Sequence, residues 1–417
     1  MNVLGDLLKH VPVPRMVKVR QSFYAPEIAD VAAAVQTAIG EAGVLSRIQP
    51  GDRVAIAVGS RGIADIPILT REVVRAVKSV GGEPFVVPAM GSHGGATGEG
   101  QLDVLHQLGV TESFIEAPIH SGMEVAEVGR LSNGLPVYID KHAYGADKII
   151  VINRIKPHTA FRGPVESGLM KMITIGLGKQ KGAEAAHAYS FKYMAEHVPA
   201  MANMVISKLP IIFGLGTIEN AFDRPAKIVA IPAEKLMEDE PALLLQAKAL
   251  MPKILFDPLD VLVVDEIGKD ISGDGMDPNI TGRYATPYAS GGLAVNRIAV
   301  LGLTEKTHGN CNGLGLADVT TRRVFEAIDW EKGFANALTS TVYDVVKLPM
   351  FFETGELAVK AAIKGANLVR PEDVRLVRIK NTLEVREIWI SESLMQEAQE
   401  RDDVELLSEP FAMDFSN

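Results

Sequence analysis

Residues 53–95 read RVAIAVGSRGIADIPILTREVVRAVKSVGGEPFVVPAMGSHGG, and this stretch decides the fold class. Arg53–Val58 is an unbroken run of β-branched residues and alanine after its first residue, the pattern of a strand covered on both faces. Gly59-Ser60-Arg61-Gly62 interrupts it. Ile66, Leu69, Val73, Val77 and Val80 then recur at helical spacing until Gly81-Gly82 ends the helix. Residues 83–89 (EPFVVPA) read as a second strand, and Met90-Gly91-Ser92-His93-Gly94-Gly95 as the loop behind it. Strand, helix and strand in this order predict two parallel strands joined by a right-handed crossover.

Residues 148–153 (KIIVIN) are a third apolar run of the same kind. Loops that leave parallel strands at their carboxyl ends lie on one edge of the sheet, where open α/β sheets bind ligands. Arg61, His93 and His158 each follow one of the three runs, so they are expected to converge there. The stretch 156–187, KPHTAFRGPVESGLMKMITIGLGKQKGAEAAH, continues the third run with a Pro-His pair and several glycines. It also sets Lys171 among Leu169, Met170 and Met172, where a cation either snorkels to water or is chemically used.

The remaining pattern is of the same class. Ile28, Val31, Val35 and Ile39 predict a helix over residues 26–39, and Asn133-Gly134 between two short apolar runs predicts a hairpin. Residues 210–215 and 227–232 are apolar, and residues 234–251 read as a helix. A second domain is expected from residue 257 to 392, with strands at 260–267, 297–303, 374–379 and 387–390 and helices at 317–327, 331–340 and 355–363. The first domain then covers residues 1–256, and the tail 393–417 is expected to pack back on it. The fold class is thus α/β: two α/β domains with mostly parallel sheets and the active site in the interdomain cleft.

Composition narrows the function. The chain has 417 residues, 47% hydrophobic and 23% charged, with a formal net charge of −10. That balance is globular and argues against nucleic-acid binding, which needs a basic surface. The single cysteine, Cys311, excludes a disulfide framework and a cysteine-built metal cluster. No apolar run reaches the ~18 residues a membrane helix needs. The first residues also lack the pattern of a secretory leader, so a cytoplasmic protein is expected.

The candidate residues are few. Arg61, between glycines, suits a bidentate clamp on a carboxylate or phosphate, or a loop salt bridge. His93 stands among residues that cannot build an apolar pocket, and His158 follows Pro157, which makes the turn rigid. Two histidines arriving from different strand ends make either an acid–base pair or two metal ligands. The glycine- and aspartate-rich loop 268–283 lacks the distal glutamate of a calcium loop and reads as a ligand-gripping segment using Lys269 or Arg283. Residues 307–318 form a similar polar loop.

Taken together, these residues resemble the nickel-pincer lactate racemases and their 2-hydroxyacid racemase or epimerase homologues. The resemblance rests on Arg61, the glycine-flanked His93, Pro157-His158, Ser167-Gly168-Leu169-Met170-Lys171 and a histidine sixteen residues further, His187. In the second domain Gly268-Lys269-Asp270-Ile271 is similar to a family loop start. The resemblance implies a cofactor, the nickel pyridinium-3,5-bisthiocarboxylic acid mononucleotide, tethered covalently at Lys171, with Ser167 and Gly168 beside it and His187 on the nickel. It implies His93 and His158 as the two proton-transfer residues, Arg61 on the substrate carboxylate, and hydride transfer at the substrate Cα. Accessory enzymes that build the cofactor are implied partners, with no nucleic acid or membrane.

The family's Ser-Gly-Gly element reads Ser-Gly-Leu here. The loop after Ile271, which contacts substrate in the family, also differs, and the resemblance then implies a 2-hydroxyacid larger or more polar than lactate. Two other readings use the same cleft: a nickel-independent lyase or hydratase, and an organic-anion-binding protein.

Overall fold

In a computed structural model of the chain, residues 3–60 and 62–415 are described. They divide into two compact units: Tyr24–Met251, and Met1–Phe23 together with Pro252–Asn417. The first strand, β1 (Arg15–Gln21), therefore belongs with the C-terminal half of the sequence.

The Tyr24–Met251 unit is built on a five-stranded sheet. Its strands are β2 (Arg53–Val58), β3 (Glu83–Pro88), β6 (Lys148–Arg154), β7 (Ile211–Glu219) and β8 (Pro225–Pro232), in the order β3-β2-β6-β7-β8. A hairpin of β4 (Val125–Arg130) and β5 (Pro136–Asp140) stands apart, around the expected Asn133-Gly134 turn. β2 pairs in parallel with β3 on one side and β6 on the other, so Val58 lies level with both Pro88 and Ile152. The chain steps from β2 outward to β3 and later returns to the other side of β2. That reversal opens the carboxyl edge of the sheet to a ligand.

Burial explains the strands. Val54 to Val58 are fully covered, and Val54, Ile56 and Val58 pack against Leu69, Val73 and Val77 of the helix Ile66–Ser79. The helix expected over residues 26–39 begins at Val31, because Asp30 caps it by accepting from the Ala33 N–H and leaves Pro26 to Ala29 outside.

The second unit carries a nine-stranded sheet, ordered β12-β11-β10-β9-β13-β14-β1-β15 with β16 also on β1. Here β9 is Leu259–Val264, β10 Val295–Val300, β11 Val319–Thr321, β12 Met350–Phe352, β13 Leu376–Ile379, β14 Glu387–Ser391, β15 Val404–Leu406 and β16 Phe411–Ala412. The strands β9 to β13 are mutually parallel. β14, β1, β15 and β16 run antiparallel to their partners. Two alternating α/β units with mostly parallel sheets are as the sequence predicts.

Several boundaries differ. Residues 317–327 were expected to be helical throughout, but the β-branched run Val319-Thr320-Thr321 inserts as a buried strand between β10 and β12, and the helix starts at Arg322. The unit boundary falls at Pro252, and the first 23 residues leave the expected first domain because β1 pairs with β14. The tail, expected on the first domain, adds β15 and β16 to β1 within the C-terminal unit. Among the described residues no helix is long and apolar enough to cross a membrane.

Candidate active site

The loops after β2, β3 and β6 leave the sheet at neighbouring positions, and those after β2 and β3 meet through their side chains. Ser60, after β2, contacts His93, after β3: Ser60 Oγ lies 2.7 Å from His93 Nδ1. Arg61 lies outside the described residues. Its loop is braced from below. Arg154, at the end of β6, donates to the Gly62 carbonyl and pairs with the buried Glu219, which accepts from the Ala64 N–H.

The segment after β6 closes on itself. The Lys156 N–H donates to the Ser167 carbonyl at 2.8 Å and the Ser167 N–H returns to Lys156 at 3.2 Å. Asn153 donates to the Gly168 carbonyl at 2.8 Å, which anchors Ser167-Gly168 to the strand end. Within this loop the buried Glu166 carboxylate accepts from the His158 N–H at 2.7 Å, from Arg162 at 3.3 Å and from Lys248 at 2.7 Å. His158 is thereby held from its backbone. Its ring lies 4.6 Å from Phe161 and 5.8 Å from Phe191, centre to centre. The Ala160 N–H donates to His158 Nδ1 at 3.0 Å, so the neutral imidazole carries its proton on Nε2.

His187 reaches the same aromatic side chain from the helix Lys179–His187, with its ring edge-on to Phe191 at 5.1 Å. His187 Nδ1 is 2.6 Å from the Ala183 carbonyl and donates to it, which turns the Nε2 lone pair away from the helix. Lys171 closes the group. It ends the short helical turn Leu169–Lys171 and is followed directly by a π-helical turn, Met172–Gly176, a feature frequent at functional sites.

Electrostatics ties the three together. Burial, then the Lys171 charge, then His187 push the His158 imidazole well below its ordinary range. His158 keeps partial solvent contact as a residue, but the weight of protein around the ring is what disfavours the imidazolium. His187 is lowered by burial first and by Lys171, against the opposing bond to Ala183. Both imidazoles are thus neutral near pH 7, the form that binds metals and accepts protons.

The residues expected from the other half of the chain serve their own unit. Arg283 is engaged by Asp318 at 2.5 Å and by the Asn296 carbonyl at 2.9 Å. Lys269 donates to the Gly273 carbonyl in its own loop at 2.7 Å, and its N–H to Thr307 Oγ1 at 3.0 Å. The two polar loops of that unit therefore interlock. Asp277 caps the turn Pro278–Thr281, which accounts for it without calcium.

Four buried polar residues around the site were not foreseen: Glu166, Glu240, Gln101 and Lys179. Glu240 accepts from the Met170 N–H at 3.0 Å, at the start of the Lys171 turn. Lysine burial is the instructive case. Lys171, between apolar neighbours, is half-buried, whereas Lys179, followed by Gln180 and Lys181, is fully enclosed. Neighbours along the chain did not signal it, because the covering groups come from distant segments.

Open α/β sheets hold ligands at their carboxyl edge, and here the loops after β2 and β3 bring Ser60 to His93 while the segment after β6 brings His158, Lys171 and His187 together. Residues 10–198 match the family model for the lactate racemase N-terminal domain, the family that the motifs resemble. The lactate racemase apoprotein from Thermoanaerobacterium thermosaccharolyticum is similar in fold, with a TM-score of 0.51 at 12% identity, over 88% of this chain and 94% of that one. A protein from Thermotoga maritima gives 0.53 at 12% identity, over 87% and 99%. No curated protein matches the chain.

Proposed function

We propose that this protein inverts the configuration at C2 of a 2-hydroxyacid, as a racemase or epimerase that works with a nickel pincer cofactor tethered at Lys171. One observation carries the reading: within the segment matched by the lactate racemase N-terminal domain, His158 and His187 share Phe191, and the Lys171 charge reaches both rings.

The residues present fit the group. Its own sulfur and carbon donors leave one position for a protein ligand, and His187 offers a neutral Nε2 with Nδ1 fixed by Ala183. Lys171 offers an amine on a rigid turn, next to Ser167 and Gly168. When bound, the group supplies reversible acceptance of hydride from the substrate Cα. The chain supplies the rest. His93, steadied by Ser60, takes the hydroxyl proton from one hand of the substrate, and His158 serves the other. Arg61 keeps the role of carboxylate clamp that its position after β2 suggests.

The test is intact-protein mass after co-expression with the cofactor-building enzymes. The parent chain is expected to gain a covalent adduct and nickel, and Lys171→Arg to gain neither, because a guanidinium does not form the thioamide. A parent chain with no adduct and no nickel under those conditions overturns the proposal. With loaded protein, single enantiomers of 2-hydroxyacids in deuterated water are expected to invert with the Cα hydrogen retained. Solvent deuterium at Cα would point to carbanion chemistry instead.

A further inference from the structure

Among the described residues of the Tyr24–Met251 unit, Lys179 is the most deeply buried cation, with no exposed side-chain surface, and nothing in the proposed chemistry uses it. It opens the helix that ends in His187 and takes a positive φ of 55°, unusual for a residue with a side chain. Its ammonium donates to the Pro88 carbonyl at 2.5 Å and to Gln101 Oε1 at 3.0 Å, and faces the equally buried Asp140 carboxylate at 3.2 Å. The Asp140 contact is ionic rather than an aligned hydrogen bond. Three donors thus meet three oxygen neighbours.

The partners show what the arrangement holds. Pro88 is the last residue of β3, just before the His93 loop. Gln101, also fully buried, turns its amide N–H groups the other way, donating to the Gly91 carbonyl at 2.9 Å and the His93 carbonyl at 3.3 Å. Gly91 in turn donates to the Gly176 carbonyl at 3.2 Å, in the π turn that follows Lys171. Asp140 donates from its backbone to the Leu177 carbonyl at 2.7 Å, one residue further along the same segment. Both ends of the network therefore grip the Lys171–His187 segment, and its middle grips the backbone of His93. A buried cation costs several kcal/mol in desolvation, and an apolar side chain of similar volume is often no less stable. What an apolar residue cannot supply is direction.

We infer that Lys179, Gln101 and Asp140 form a positioning network that fixes the His93 loop against the Lys171–His187 segment, so that the proton-transfer and cofactor-holding groups keep one register. The inference rests on the proposed function for the role of those two elements, but its geometry does not. Gln101 is the joint. Its oxygen faces the lysine, and its nitrogen faces the loop.

The test uses Gln101→Glu in the full chain, expressed without the cofactor. Glutamate keeps the volume and the acceptor for Lys179, so the fold is retained, but it cannot donate to Gly91 and His93. Hydrogen exchange of the amides at 91–95 is expected to speed up by about tenfold or more, with little change in the rest of the β3-β2-β6 sheet. The nitrogen NMR signals of the His93 ring are expected to move as the Ser60 contact loosens, while those of His106 stay in place. A folded Gln101→Glu protein with parent-like exchange at 91–95 and an unmoved His93 ring overturns the inference. The paired variant Lys179→Met with Asp140→Asn removes both charges together and is expected to loosen the same amides, and parent-like exchange there counts equally against it. Since no turnover is read, failure of the racemase reading leaves these outcomes untouched.

Discussion

Replacing His93 by alanine is expected to lower the rate of C2 inversion by about 10²–10⁴-fold while the adduct at Lys171 still forms. The two histidines proposed for proton transfer are not equivalent. His158 is crowded by Phe161 and Phe191, its Nδ1 receives the Ala160 N–H, and burial with the Lys171 charge disfavours its imidazolium. His93 is exposed on a glycine-rich loop and touches the Ser60 hydroxyl at 2.7 Å. Alanine at 93 removes the more exposed of the two imidazoles and leaves Lys171 and His187 in place. The measurement is steady-state inversion from each enantiomer, alongside intact mass. A loaded His93→Ala protein within about threefold of the parent would remove His93 from the chemistry.

The second large effect concerns stability. Glu240 is fully buried, and burial raises its carboxyl to about 7 against the opposing bonds from the Met170 and Leu169 N–H groups. An ordinary carboxyl, such as the one the unfolded chain presents, titrates near 4.5. The native state therefore holds this proton where the unfolded state has lost it. Its contribution to stability is complete below 4.5 and declines as pH rises to about 7, by an amount on the order of 3 kcal/mol from the difference between those two values. Glu240→Gln is expected to flatten the stability curve between those pH values and to be more stable than the parent above pH 7. Gln can still accept from the Met170 N–H, so the Lys171 turn keeps its cap. Urea denaturation at a series of pH values checks this, and a Gln variant with the parent's slope rejects the assignment.

How much of this was legible in the sequence follows from where each signal resides. β2, β3 and β6 were readable because strands buried on both faces are apolar along their whole length. Once those three were placed, topology put the loops of His93 and His158 at the carboxyl edge of the sheet. Lys171 and His187 came from a motif, not from a pattern of burial. β1 passed unnoticed: RMVKVRQ mixes charges with short apolar steps, and its partners β14 and β15 lie more than 360 residues away along the chain. Val319–Thr321 was misread because three residues are too few to show a period of two. Glu166, Gln101, Lys179 and Glu240 belong to residue types that are rarely enclosed, and only the arrival of carbonyls, backbone N–H groups and an ammonium from other segments makes their burial tolerable.

The place of β1 bears on synthesis. Because Tyr24–Met251 is one continuous segment, it can complete its structure on the ribosome while the rest is still being made. The other unit has one strand near the amino terminus and all the rest after Pro252, so its sheet must wait for the last residues to emerge. A fragment starting at Pro252 would leave β14 and β15 without the strand between them, exposing two unpaired edges of the kind that drives aggregation. The segment Tyr24–Met251 expressed alone is expected to remain monomeric, and the Pro252–Asn417 fragment to precipitate until a peptide spanning β1 is supplied.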